Sequence, residues 1–325
     1  MNSRRARLRR RWRIVVLVVL VSAAMAAGAI YTNAFGAGDR FEHVLARIEL
    51  AIDPPPDRPT VPTVQVTTRP TRVPEPAGPS GSSAPGVTVT PAPTPVRRSV
   101  DVRLAADPKT MFISQVTKDW CAPAGTQITL AILGLAENSP DFQRRLERRT
   151  GEWESRRDSR NGGWGPGVIV QALAAYGAPG YQIRAHERRQ DALRDAAIAL
   201  TVTKKPVVLI AWRGAHTWVM TGYRADADQT VYPDATITGT YIFDPWYPRV
   251  SSIWGPSDPP GTFQDAAEMR RNYLPWQRPE GHYPDRDGLY LIIIPPMPSA
   301  YASINQAALR PRALGAPGSA LVAGP

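Results

Sequence analysis

Residues 115–133 read QVTKDWCAPAGTQITLAIL, and from Cys121 onward the stretch is uncharged and largely apolar. That pattern predicts a buried helix over 121–135. Pro123 marks its first turn, where a missing N–H deprives no carbonyl of a partner. The cysteine is the chain's only one, and it stands at the N-cap. There it faces unpaired backbone N–H groups and the positive end of the helix dipole. Both favour the thiolate, which is the nucleophilic form. A small buried core position would suit a free cysteine equally well. One cysteine excludes an internal disulfide framework and a cysteine-rich zinc site.

Working outward, residues 166–176 predict a second helix, with Val168, Ile169, Leu173 and Tyr176 apolar and Gly177 stopping it. A strand is predicted over 206–212, then a turn at Arg213-Gly214 and a second strand over 216–223, as in a hairpin. Two further strands fall at 240–243 and 289–294. Helices come first and strands second, which predicts an α+β fold. His216 opens a strand and shares one face with Trp218 and Met220. A neutral imidazole there could take the thiol proton, or it could be a hydrogen-bonded structural histidine. Asp244 ends a strand, and Pro245 holds it extended. Its carboxylate could orient the imidazole or simply form a turn. Gln115, six residues before Cys121, could donate into an oxyanion hole beside the Cys121 backbone N–H.

Four segments in order carry a resemblance. They are 115–133, quoted above; Gly165-Pro166 through Gly177; residues 204–223, KKPVVLIAWRGAHTWVMTGY; and residues 241–246, YIFDPW. Together they resemble cysteine peptidase family thirty-nine, which contains the domains that cut bacteriocin precursors after double-glycine leaders. The resemblance spans about residues 112–294. It implies a papain-like fold, with a helical half carrying Cys121 and an antiparallel sheet half carrying His216 and Asp244. It also implies that Gln115 is the oxyanion donor, that the substrate is a peptide or protein, and that no metal or organic cofactor is needed. Asp244 lies 28 positions after His216, a long interval for this family, and the intervening stretch offers Asp226, Asp228 and Asp234 as alternative third members. No transporter is attached, so double-glycine specificity does not carry over.

The remaining chain frames that domain. The net charge of +11 is mostly terminal: seven arginines lie among the first 13 residues, leaving 32 basic and 28 acidic side chains in the rest. A nucleic-acid-binding body would carry its basic residues on the folded part, so nucleic acid is not an expected partner. Four scattered histidines (His43, His186, His216, His282) lack metal-ligand spacing.

The arginines precede an uncharged stretch at 14–38, long enough for a single-pass helix or a cleaved export signal. Arginine-rich flanks stay in the cytoplasm, so this reading places the domain outside the cell membrane, tethered or secreted. Residues 39–53 have helical spacing and predict a juxtamembrane helix. Residues 54–99, with 13 prolines between Pro54 and Pro95, predict a linker that buries too little to order itself. The peptidase-like domain is expected over 100–298 and a loose tail over 299–325. Trp153, Trp164, Trp212, Trp218 and Trp246 could line a cleft or serve as ordinary packing. Arg144, Arg145, Arg148 and Arg149 beside Glu147 read as a solvated helix face.

The composite expectation is an extracytoplasmic, membrane-tethered cysteine peptidase with a Cys121–His216–Asp244 triad. Its rivals are an acyltransferase using the same chemistry and a catalytically inactive peptide- or cell-wall-binding module of the same fold.

Overall fold

The computed structural model describes residues 2–32, 48, 52–66, 96–160 and 162–298. The chain divides into two units, Met1–Pro56 and Asp57–Pro325. The first contains helix α1 (Asn2–Tyr31). Among the described residues, no helix is long and apolar enough to cross a membrane. This overturns the single-pass anchor over 14–38 and the extracytoplasmic placement that rested on it. The strongly apolar part of α1 is the short run 14–21. Seven arginines precede it, and alanine, serine and glycine dominate residues 22–28. The helix expected at 39–53 lies almost wholly outside the described residues, and so does the tail at 299–325.

The second unit begins earlier than composition predicts. Residues 57–66 run along it, and β1 (Thr63–Val66) pairs in parallel with a strand more than a hundred residues away. The segment assigned to a linker is therefore sheet at its N-terminal end, while 67–95 lie outside the described residues. Next come β2 (Val100–Arg103), the short α2 (Pro108–Met111), α3 (Cys121–Ile132), α4 (Pro140–Arg148) and α5 (Pro166–Ala175). After these come β3 (Gln182–His186), α6 (Arg189–Thr203), β4 (Val207–Ala211), β5 (His216–Ala225) and β6 (Ile237–Phe243). A two-residue hairpin, β7 (Val250–Ser251) with β8 (Gly255–Pro256), precedes β9 (Thr262–Asp265), α7 (Ala266–Asn272) and β10 (Tyr290–Ile294).

The main sheet runs β1-β3-β10-β4-β5-β6-β9, with β2 also on β5. Every pairing except β1–β3 is antiparallel. Its middle strands read as unbroken apolar runs, VVLIA and YLIII, because both faces are covered. Val208, Ile210, Leu291 and Ile293 pack with Leu130, Phe142, Leu146 and Leu173 from α3, α4 and α5. Val207, Leu209, Ile292 and Ile294 pack with Leu193, Ala196 and Leu200 of α6 on the other face.

Helices α3 and α5 both stop on glycine. After α3, Gly134 takes φ +73°, its N–H bonds to Ala131 O and the next N–H bonds to Leu130 O. After α5, Gly177 takes φ +94° with the same pair of bonds, to Ala174 O and Leu173 O. This double bond at a left-handed residue is the usual glycine C-terminus. It ends α3 at Ile132, three residues before the predicted limit.

Candidate active site

Cys121 is the first residue of α3; Trp120 is the N-cap and makes no side-chain capping bond. The N–H groups of Cys121 and Ala122 open the helix and have no carbonyl one turn behind them. The helix meets β5 at unusually close range. A Cβ on Gly125 would lie 2.5 Å from Cγ2 of Thr217, so only glycine lets the two backbones approach this far. One turn before Gly125 stands Cys121, and one residue before Thr217 stands His216. That approach brings the sulfur to the imidazole. The thiol is half-buried, donates at 3.7 Å to the carbonyl of Ala215, the residue before His216, and lies near enough to the imidazole to raise its pKa.

His216 is buried. Its Nε2 lies 2.6 Å from Asp244 Oδ1, which leaves Nδ1 for the sulfur. The same carboxylate oxygen accepts the Trp246 N–H at 2.9 Å, so Asp244 is fixed at the end of β6 as Pro245 turns the chain away. Burial is the largest influence on the imidazole and pushes its pKa down. The Asp244 carboxylate and the Cys121 sulfur outweigh it and hold His216 at about 9. Above the ring, the Trp212 indole stacks at 3.9 Å between centroids, with planes 17° apart. An indole face attracts a cation, which also favours imidazolium.

Trp212 is placed by a turn of left-handed residues, Trp212 (φ +51°), Arg213 (φ +59°) and Gly214 (φ +92°). For the two non-glycine residues that conformation costs about 1–2 kcal/mol each. Trp254, from the β7–β8 hairpin, also stacks on Trp212, at 5.8 Å and 8°.

Gln115 is also buried, but its amide is engaged: Nε2 donates to Thr117 O and Lys118 O, each at 2.8 Å. Both hydrogens are thus committed to the loop that leads into α3, and Oε1 is buried without a partner. The backbone around Gln115 is tied to the sheet half. Its N–H bonds to Pro245 O at 2.8 Å. Arg249 donates to Gln115 O at 2.8 Å and to Val116 O at 3.2 Å. From α4, Gln143 accepts the Val116 N–H and donates to Ser114 O, each at 3.0 Å.

The alternative aspartates lie elsewhere. Asp226 and Asp234 pair with Arg97, and Asp228 accepts from Thr230. Of the tryptophans that could line a cleft, Trp212 and Trp246 border His216, at 3.9 and 6.4 Å. Trp153 and Trp164 contact each other in the α5 core instead. Sequence reading missed Trp254, Arg249 and Gln143. Their partners lie far away along the chain, and no local spacing marks them.

The model of the Peptidase_C39 like family matches residues 109–273, about half of the chain and the segment that contains all four candidate residues. No curated protein matches the chain. Among solved structures, a match is the crystal structure of a double glycine motif protease from an AMS/PCAT transporter in complex with the leader peptide. It is 16% identical, covers 60% of this chain and 99% of that one, and has a TM-score of 0.31. That likeness is too loose to carry an argument.

Proposed function

This chain belongs to the Peptidase_C39 like family, with its papain-like α+β fold, and from that premise we propose that it is a cysteine peptidase acting through Cys121, His216 and Asp244. One observation carries the proposal: a buried histidine bonded to a strand-end carboxylate follows directly on the residue whose carbonyl accepts from the helix-start cysteine. Sγ attacks a peptide carbonyl to give a tetrahedral oxyanion while His216 keeps the thiol proton. His216 then gives that proton to the amine nitrogen as the C–N bond breaks, the amine departs and a thioester remains. Water, deprotonated by His216, hydrolyses the thioester and releases the acid. Asp244 holds the ring so that Nδ1 faces the sulfur and stabilises its positive charge.

The tetrahedral oxyanion is held by the Cys121 backbone N–H. Gln115 joins it by turning one N–H from a loop carbonyl to the oxyanion. The substrate is a peptide or protein.

The test is mass analysis of peptide mixtures after incubation with the wild type and with Cys121→Ala. New N-termini that disappear in the variant support hydrolysis. Products joined to an added amine in place of water would make the protein an acyltransferase. Slow iodoacetamide labelling of Cys121, at a rate unchanged in His216→Ala, would point to a binding module without turnover.

A further inference from the structure

The hairpin of β7 and β8 exposes apolar side chains close to His216. Ile253, in its turn, is 75% exposed and Val250 is 69% exposed. Among the described residues of the second unit, no large apolar side chain is more exposed than Ile253. Single apolar residues are ordinary on a surface. Here two stand in one short hairpin, next to Trp254, which is half-buried and stacks on Trp212. Exposed apolar side chains gathered in this way mark a contact surface.

The hairpin is built before anything touches it. Ser251 Oγ accepts the N–H groups of Ile253 and Trp254, at 3.2 and 3.1 Å, which closes the turn. At its base, Arg249 O accepts from the Ser257 N–H and hydroxyl, at 3.3 and 3.2 Å. Arg249 is the sole charged residue in 246–257, WYPRVSSIWGPS, and its guanidinium is engaged by Gln115 O and Val116 O. A charged group arriving here would lose water and find no partner. An apolar one would exchange water for Val250, Ile253 and the Trp254 indole.

The chemistry of cleavage says which part of a peptide passes this hairpin. The acyl half stays bonded to Cys121 at the start of α3, while His216 gives its proton to the amine half. The amine half therefore departs on the imidazole's side. Trp212 lies 3.9 Å from the imidazole and Trp254 lies 5.8 Å from Trp212, between ring centroids. Those distances put the hairpin within three residues of an extended chain, which advances about 3.3 Å per residue.

We propose that the β7–β8 hairpin selects substrates with an apolar residue among the first three positions after the scissile bond, held against Val250, Ile253 and Trp254. The assignment rests on the proteolytic reading and adds a substrate class to it.

The test is digestion of a synthetic peptide library of known sequences by the full chain, read as new N-termini by mass spectrometry beside Cys121→Ala. Leucine, isoleucine and phenylalanine should be enriched about fivefold or more at one of the first three positions of the Cys121-dependent N-termini, the size expected for partial burial of such a side chain. Ile253→Glu should abolish most of that enrichment and admit lysine and arginine at the same position. That gain cannot come from misfolding, and a melting curve of the variant accompanies it. Enrichment confined to positions before the cut, or enrichment unchanged in Ile253→Glu, overturns this inference and leaves the proteolytic reading standing. Absence of any Cys121-dependent N-terminus overturns both. Self-association that Ile253→Glu abolishes while cleavage preference stays the same also overturns it, and makes the hairpin a contact between copies of the chain.

Discussion

His216 is the residue whose surroundings are most demanding, and its pH dependence results from them. Its value of about 9 in the folded chain lies above the ordinary 6.5. The stabilisation it provides is therefore complete below about pH 6.5 and is lost as pH rises through about 9. Asp244→Asn keeps the shape and removes the charge. In that variant the His216 ring resonances should titrate at least about one unit lower by NMR, and the alkaline loss of stability should move down with them. An unshifted titration would detach Asp244 from the imidazole. Gln115 poses a different question, because its amide hydrogens are tied to Thr117 O and Lys118 O. As an oxyanion donor it acts only in the transition state, so Gln115→Ala should lower kcat by about 10²–10³ and leave Cys121 alkylation unchanged. If it serves only the loop, the loss appears in Tm and KM instead. Cys121, His216 and Asp244 could be singled out as candidates because each stands at the end of an element and they follow one another in a telling order. Arg249 and Trp254 could not. An arginine that binds backbone carbonyls 133 and 134 positions away looks, in sequence, like any surface cation.

Elements bring those residues together, and the decisive contact is α3 on β5. Gly125→Ala would set a methyl 2.5 Å from Thr217 Cγ2 and push the helix off the strand. Overpacking of this kind costs about 1–3 kcal/mol, and it should also separate Cys121 from His216. Both a lower Tm and slower alkylation at neutral pH are expected. Thr217→Ser removes the opposing methyl, so the double variant should recover much of both. Failure to recover would mean that the helix register does not depend on this contact. The elements around this pair were legible: α3, α5, β4, β5, β6 and β10 fall within a few residues of their predicted limits. Among the elements that were not, three are instructive. Strand β3 carries Arg184 and His186, polar residues that hide its apolar pattern; both are buried because they bond to Asp195 of α6, at 2.9 and 3.1 Å. Helix α6 itself reads as mixed charge and alanine. Its burial depends on that ion cluster and on small residues facing the sheet, neither of which gives a strong periodic signal. α7 is too short for periodicity to mark, although Asp265 and Glu268 form a capping box at its start.

Over the whole molecule, composition was a good guide to charge and a poor one to where the folded unit begins. Proline at every few positions reads as a linker, yet proline is tolerated where a strand lies at a sheet edge or starts one. Pro62 immediately precedes β1, the edge strand beside β3. Pairing with a strand more than a hundred residues away is a property of the assembled sheet, so no local window contains it. Val61 packs on the main core. Ser155 Oγ donates to Arg58 O at 2.6 Å, and Arg58 donates to Gly151 O and Glu152 O at 3.0 and 2.9 Å. The ion pairs of Asp57 with Arg156 and Arg157 are exposed and add little. The weight of the segment lies in its ladder, its side-chain-to-backbone bonds and Val61. Two shortened chains separate these contributions from those of the first unit. A chain beginning at Asp57 keeps the whole second unit and should melt within about 2 °C of the full chain. One beginning at Thr67 loses β1 and leaves the edge of β3 unpaired. At about 2–3 kcal/mol for the lost segment its Tm should fall by roughly 5–10 °C, and the bare edge should promote self-association visible in light scattering. Equal melting of the two shortened chains would show that residues 57–66 lie on the domain without supporting it, and would return the boundary to where composition drew it.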